Sequence, residues 1–380
     1  MTPPDTDSIP LRLGPLLVTP RLALTNAGID TNVFNQPDAE GPESDFTLTL
    51  TPSADLWLRT GPTWVFGNIR EDIVWFKEFV SERSVNSVLR VGWLVPLNRL
   101  ALNVGTGWTH TNDRPGYEID ARADRQERDL TGAVEVRTLS RTRLGVRAGR
   151  RRIAFEEGET YMGVDLREEL TRTTTAFAFV MRHELTPLTT LAISLDREQD
   201  RFLYSALRDS DTGRVQAGLE FSPDALISGT ARIGYRNFNP EAADVPGYSG
   251  MTASVDVAYV ALDAIRFGVQ VMRDVEYSYD DAHPYYLQSG ITGSVRVQIY
   301  GPVDVESRLG AQRLSYRMRG GAESAGDPID RVGTYGVGIG YRIGRDLRIG
   351  FNVDHYERTS DVALRAYDGL RYGAVATYGR

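Results

Sequence analysis

The sequence predicts an all-β protein, a transmembrane up-and-down antiparallel β-barrel of about 18 strands, with 16 as the lower count. Three observations predict it. Apolar and polar residues alternate with period two over runs of about a dozen residues; short turn signals and longer polar segments follow one another in strict alternation; and the second parity of the runs is strongly charged.

The period comes first. In "RLALNVGTGWTHTND" (Arg99 to Asp113), Leu100, Leu102, Val104 and Trp108 share one parity, and Ala101, Asn103, Gly105, Gly107 and Thr109 the other. Ile265, Phe267, Val269 and Val271 oppose Arg266, Gly268, Gln270 and Asp274. Leu347, Ile349, Phe351 and Val353 oppose Arg348, Gly350, Asn352 and Asp354. Near the end, Leu370, Tyr372, Ala374, Ala376 and Tyr378 oppose Arg371, Gly373, Thr377 and Gly379. Period two marks a sheet with two different faces. A globular strand spans about five or six residues and a tilted membrane strand about nine to eleven, so these runs fit the second.

The connections come next. Gly61-Pro62, Pro96-Leu97-Asn98, Leu139-Ser140-Arg141, Thr186-Pro187, Pro223-Asp224, Leu262-Asp263, Gly301-Pro302 and Gly344-Arg345-Asp346 are short turn signals recurring about every 40 residues. Between them lie polar segments such as Thr111 to Glu127, Arg197 to Asp211, Asn239 to Gly250 and Gly320 to Arg331, read as long loops. A 40-residue repeat also suits a β-propeller, but a blade needs four short strands where each repeat here holds two long ones. One strand before the first long loop, two at each short turn and one at the end make about 18. An even count puts both termini on the short-turn side, the periplasmic side of outer-membrane barrels. Residues 1–17 are read as a periplasmic N-terminal segment and residues 18–380 as one barrel.

Composition narrows the class. No run of eighteen apolar residues occurs, so no transmembrane helix is expected. The opening "MTPPDTDSIP" has no basic region followed by an apolar core, so the chain is read as a mature form without its signal peptide. The absence of cysteine excludes a disulfide framework and thiolate metal sites. A formal net charge of −8, with no basic tract interleaved with aromatics, argues against nucleic acid as a partner.

The charged parity is the candidate site. Arg143, Arg147, Arg232, Arg236, Arg266, Asp274, Glu276, Asp304, Glu306 and Arg308 fall on it, accompanied by Glu135, Arg137 and Arg151, and are read as lining a pore. Such charges are costly in a dry core and tolerable in a water-filled lumen, where opposite signs can pair between neighbouring strands. The oily parity would then meet outer-membrane lipid, with Tyr235, Tyr259, Tyr341 and Tyr378 near strand ends as interfacial rings. Gly336, Gly338 and Gly340 alternate inside a strand and are read as a smooth stretch of lumen wall rather than a dinucleotide loop. No long connection exceeds about twenty residues, which favours a wide or gated pore over one narrowed by a long inward loop.

Catalytic signals are sparse. His110, His183, His283 and His355 have no metal-ligand spacing, and adjacent His183 and Glu184 point to opposite faces. Asp211-Thr212-Gly213 is a short chance-level match to a protease core. Asp280 and Asp281 before His283 form at most a loop cation site. The chain is read as a non-enzyme without cofactor or metal.

The opening run, "RLALTNAGIDTNVFNQPDAEGPESDFTLTLTPSADLWL" (Arg21 to Leu58), carries a more specific signal. Its Gly28-Ile29-Asp30-Thr31-Asn32-Val33-Phe34 stretch, followed by Ser44-Asp45-Phe46 and Pro52, resembles the start of the β-barrel porin type 2 family of Gram-negative outer membranes, which includes barrels from exopolysaccharide loci. On the residues alone, Asp30 and Asn32 are Asx residues at a strand exit, whose side-chain oxygens can accept freed backbone amides. The ending Tyr378-Gly379-Arg380 departs from the terminal Phe usual in such barrels. The resemblance implies a passive outer-membrane conduit in exopolysaccharide export, working with polysaccharide and a periplasmic polysaccharide-export protein. A general diffusion porin and a closed structural barrel are the alternatives.

Overall fold

In a computed structural model, residues 11–223, 225–262, 264–321 and 327–379 are described. A short β1 (Leu11–Leu13) folds back on β2 (Leu16–Asp30), and the wall continues through β3 (Asp45–Thr60), β4 (Thr63–Phe76), β5 (Ser84–Pro96), β6 (Leu100–Asp113), β7 (Ala123–Leu139) and β8 (Thr142–Phe155). A long connection then holds the two-residue strands β9 (Thr160–Tyr161) and β10 (Val164–Asp165) and the one-turn helix α1 (Leu166–Leu170). The wall resumes with β11 (Arg172–Thr186), β12 (Thr189–Phe202), β13 (Ser210–Phe221), β14 (Ile227–Pro240) and β15 (Tyr248–Ala261). It ends with β16 (Ile265–Tyr277), β17 (Tyr285–Tyr300), β18 (Val303–Arg317), β19 (Ile329–Ile343), β20 (Leu347–Ser360) and β21 (Tyr367–Tyr378).

Every neighbouring wall pair is antiparallel, and β21 pairs back onto β2 through Leu22↔Tyr378 to Asp30↔Arg371. The result is a closed 18-stranded barrel with β1 as one extra strand. Closure satisfies all ladder groups without leaving an edge, which a sheet surrounded by hydrocarbon requires. The eight short turns fall where the sequence places them, and both ends of the wall lie on their side. Of the N-terminal segment read as 1–17, residues 1–10 lie outside the described residues, while β1 and the start of β2 already belong to the sheet.

The long connections are shorter than the sequence suggested. The sequence predicts a loop over Arg197 to Asp211, yet β12 runs to Phe202 and β13 starts at Ser210, in register down to Asp200↔Ser210. These strand ends are polar on both faces, because near the rim the outer side is no longer apolar, so hydropathy alone makes them resemble loops.

Parity sorts the side chains as expected. Val104, Trp108, Leu130, Leu144, Phe179, Leu195, Ile233, Ile291, Leu309 and Val337 are exposed on the outer surface, and Tyr235, Tyr259, Tyr341 and Tyr378 share it. Near the long-loop end of β16 and β17 the rule breaks. The β15 to β16 ladder stops at Ala253↔Arg273, whereas β16 and β17 stay paired to Tyr277↔Tyr285. Above that point Val275, Tyr285, Tyr286, Leu287 and Gln288 are buried on both parities; β17 stays paired with β18 up to Tyr285↔Arg317, and the β14–β15 connection packs Val245 against Val275, Tyr285 and Leu287 on the outward side.

Candidate functional site: a charged interior crossed by an inward loop

All ten charged residues singled out from the sequence lie on the inward parity, most of them in two networks. Along β8 to β16, Arg143 pairs with Glu184 at 3.3 Å, Arg147 with Asp196 at 3.2 Å and Arg232 with Glu220 at 2.8 Å. Arg236 and Arg214 share Asp274 at 2.7 and 2.8 Å. Arg182, not singled out before, bridges Glu135 and Glu220. Along β17 to β20, Arg296 holds Glu306 at 2.6 Å, Arg348 holds Asp304 at 2.6 Å and Arg308 holds Asp354 at 2.7 Å. Glu276 sits in the field of Arg172, Asp274 and Arg236. Arg266 has no ion-pair partner among the described residues. Pairing between strands turns most of the fixed charge into a polar, nearly neutral surface that hydrates readily.

Gly336, Gly338 and Gly340 are not a bare wall. A Cβ at each would come within 2.0 Å of Asp354, 2.1 Å of Asn352 and 2.3 Å of Arg348, respectively. The three glycines are seats in which the long polar side chains of β20 lie flat. Gly107 does the same for Asp129.

At the long-loop end the interior is crossed by a nine-residue connection, 114–122 between β6 and β7, which docks on the far side of the barrel. Glu118 is 1% exposed. Its carboxylate accepts from Ser278 Oγ at 2.6 Å and from the Tyr279 amide at 3.3 Å, both on the tip of the β16–β17 hairpin. Its carbonyl oxygen accepts from Arg358 Nη1 at 3.1 Å and Arg365 Nη2 at 3.2 Å, on and beyond β20. Next to it, Asp120 pairs with Arg358 at 2.5 Å. Asp330, fully buried, takes Arg358 and, at 3.0 Å, Arg365. Arg208, from the β12–β13 connection, donates to the carbonyls of Ser278 and Tyr279 at 2.8 and 3.0 Å. Beneath lies an apolar knot of Ile119, Ala123, Ile153, Phe155, Leu166, Leu170 and Tyr279.

A long loop is therefore not needed to narrow this barrel. Nine residues suffice because the hairpin tip and the 361–366 connection lean in to meet them. Sequence reasoning missed Glu118, Asp330, Arg358 and Arg365, which sit in or beside segments taken for solvated loops. Complete burial pushes the Glu118 carboxyl up to about 7, against the opposing pull of Arg365 and the hydrogen bond from Ser278.

Toward the short turns the interior changes character. Trp57, Trp64 and Phe66 share the inward parity of β3 and β4 with Asp55 and Asn68. The Trp57 ring lies 6.3 Å from Trp64 and 5.5 Å from Phe66, and the Arg59 guanidinium sits 5.8 Å over Trp64. Gly92 leaves room for Phe66, which a Cβ there would touch at 2.1 Å. Parity would have found this ring cluster, but Pro52 and Pro62 interrupt the pattern around it.

The remaining candidates fall into structural roles. His183 meets Thr142 on one face at 3.0 Å while Glu184 pairs with Arg143 on the other. Asp211 lies in strand β13 against Arg201 at 2.8 Å. Asp280 pairs with His283 at 2.8 Å, a bond that holds its carboxyl below the usual range, and Asp281 pairs with Arg208 at 3.1 Å. Among the described residues no cluster of His, Cys, Asp or Glu can hold a metal ion.

Solved structures similar to this chain include the outer membrane protein opdK from Pseudomonas aeruginosa, at 11% identity over 96% of this chain and 98% of that one, with a TM-score of 0.48. A BenF-like porin from Pseudomonas fluorescens Pf-5 shows 10% identity over 95% and 98%, with a TM-score of 0.49. A bacterial polysaccharide outer membrane secretin shows 11% identity over 96% and 98%, with a TM-score of 0.36. No curated protein matches. The family model described as "Putative beta-barrel porin 2" matches residues 3–378, nearly the whole sequence that builds the closed wall and its charged interior, and the chain belongs to that family of outer-membrane porin-like barrels.

Proposed function

We propose that this barrel is a conduit in exopolysaccharide export, held shut at its long-loop end until the polymer and a periplasmic polysaccharide-export protein engage it. The observation that carries the reading is the pairing of a loop docked across the outer mouth with an interior rich in groups that can bind sugars. Ion-paired guanidinium and carboxylate groups offer hydrogen bonds to hydroxyls without a strong net field. The Trp57, Trp64 and Phe66 cluster at the opposite end offers ring faces against which the apolar faces of sugar rings can stack. A general diffusion porin would instead need a standing opening, and the buried Glu118, Asp330 and Arg358 cluster, which docks 114–122 across the mouth, weighs against one.

The purified barrel should conduct little in planar bilayers, and deleting its gene should abolish surface polymer while leaving small-solute uptake unchanged. Replacing both Trp57 and Trp64 with Ala should lower polymer secretion severalfold while leaving the ion conductance of a loop-shortened barrel within about twofold. Steady conductance with polymer secretion intact on deletion rejects the exporter in favour of the porin. A silent barrel with no polymer phenotype leaves a structural role.

A further inference from the structure

The outer surface of β7, β8, β11 and β12 carries a basic cluster at the long-loop border. Arg128, Arg150 and Arg152 all point outward, the last two from positions following Val146 and Ala148 on β8. Arg128 and Arg152 are direct cross-strand partners, and Arg150 lies opposite Leu130 and Thr175. Like charges directly opposite each other in a ladder destabilise it. The carboxylates nearby are engaged elsewhere: Asp211 takes Arg197 and Arg201, Glu241 takes Arg201, and Glu157 takes Arg167. Glu156 accepts from Gln126. Arg128 reaches only the Gln126 amide oxygen, and Arg150 and Arg152 have no partner among the described residues.

Height and shape define what fits there. From Leu139 to Leu130 the exposed apolar residues of β7 climb about 30 Å along the strand, which at a tilt of about 40° is about 23 Å of height, close to the full apolar band of an outer-membrane barrel. Arg128 is the next outward residue above that band, at the long-loop border. Leu130 lies level with Arg150, and exposed Val146, Phe177, Phe179 and Leu195 lie below the arginines. A groove of about 400 Å³ is lined by Arg150, Arg152 and Arg201 together with Thr173 and Thr175.

From this juxtaposition we propose that the outer wall of β7 to β12 binds a phosphate-bearing lipid of the outer leaflet, its phosphoryl oxygens on Arg128, Arg150 and Arg152 and its acyl chains on the phenylalanine and leucine surface beneath. Guanidinium forks match phosphoryl oxygens in bidentate fashion, and the bound anion removes the repulsion between Arg128 and Arg152. The site is independent of what passes through the lumen.

The test uses the full chain in detergent with three probes: bisphosphorylated lipid A, its dephosphorylated form and inorganic phosphate, read by native mass spectrometry. The combined variant Arg128→Gln, Arg150→Gln and Arg152→Gln removes charge from a lipid-facing surface, so it should fold and keep its heat-modifiable mobility. Wild type should bind bisphosphorylated lipid A at least tenfold tighter than the variant, and the dephosphorylated form should bind weakly and equally to both. Equal lipid A binding by wild type and variant, or equal binding of the two lipids by wild type, overturns the proposal. Inorganic phosphate binding as tightly as lipid A overturns the lipid as its source.

Discussion

At the scale of the residue, the opening motif shows what a sequence can and cannot disclose. Asp30 and Asn32 act as Asx residues at a strand exit: Asp30 Oδ1 accepts from the Asn32 amide at 3.2 Å, and Asn32 Oδ1 from the Gln36 amide at 2.8 Å. That much was legible from residue type alone. Their second role was not, because it needs the far end of the chain: Arg371 pairs with Asp30 at 2.5 Å, and the single Tyr356 hydroxyl proton is within reach of both Asp30 and the Asn32 carbonyl. These contacts tie the last two strands to the first at the seam. Gly28 belongs to the same seam, since a Cβ there would stand 2.0 Å from the Tyr372 carbonyl oxygen and 2.4 Å from Gly373 Cα. Both are backbone atoms, which cannot step aside as a side chain can. Gly28→Ala should therefore destabilise the folded barrel by about 3 kcal/mol, the upper range for overpacking. Gly132→Ala and Gly293→Ala, which add a methyl where nothing lies within 4 Å, should change little. Urea unfolding of the three variants in detergent compares them directly, and equal midpoints would mean that the seam tolerates the added methyl.

At the scale of the element, strands and short turns were legible because period two and Gly/Pro punctuation are local signals. The inward course of 114–122 was not, because nothing within nine polar residues says that Ser278, Arg358 and Arg365 wait across the barrel. This connection also carries a pH response whose sign can be worked out. With the mouth closed, Glu118 is pushed up to about 7, and once the loop is released into water its carboxyl returns to the ordinary 4.5. The closed form holds the proton more tightly, so this group favours closure fully below about 4.5, and that advantage is lost as pH rises through about 7. The swing is on the order of 3 kcal/mol. Open probability in planar bilayers should accordingly rise between about pH 4.5 and pH 7, and Glu118→Gln, which keeps a neutral hydrogen-bonding group in place, should flatten the rise. A Glu118→Gln channel that still opens across that window would assign the response to another group.

At the scale of the whole molecule, two faces and two ends define the barrel, and each is testable separately. Leu102→Arg or Val269→Arg, on the outward parity near mid-strand, should destabilise the inserted barrel by about 2 to 4 kcal/mol, while Asn103→Arg and Gln270→Arg, on the inward parity, should fold nearly normally. Equal responses would overturn the facing. The interior charges were found by parity, but their pairing came only with the register, since Arg232 meets Glu220 on β13, and Arg308 meets Asp354 two strands away. That pairing sets the sign of the last expectation. Arg143, Arg147, Arg232 and Arg236 each hold a carboxylate, on Glu184, Asp196, Glu220 and Asp274. Replacing all four with Ser removes four positive charges and leaves four carboxylates without these partners, although Arg182 still neutralises part of Glu220 and Arg214 part of Asp274. In a barrel opened by shortening 114–122, reversal potentials under a salt gradient should therefore move toward cation selectivity relative to the same opened barrel with its arginines intact. The shift should shrink in concentrated salt, where the screening length falls to about 3 Å at 1 M. Unchanged selectivity would mean that ions do not pass along this arc of the wall, and the conducting path would have to be sought along β17 to β20, where Arg296, Arg308 and Arg348 line the opposite arc.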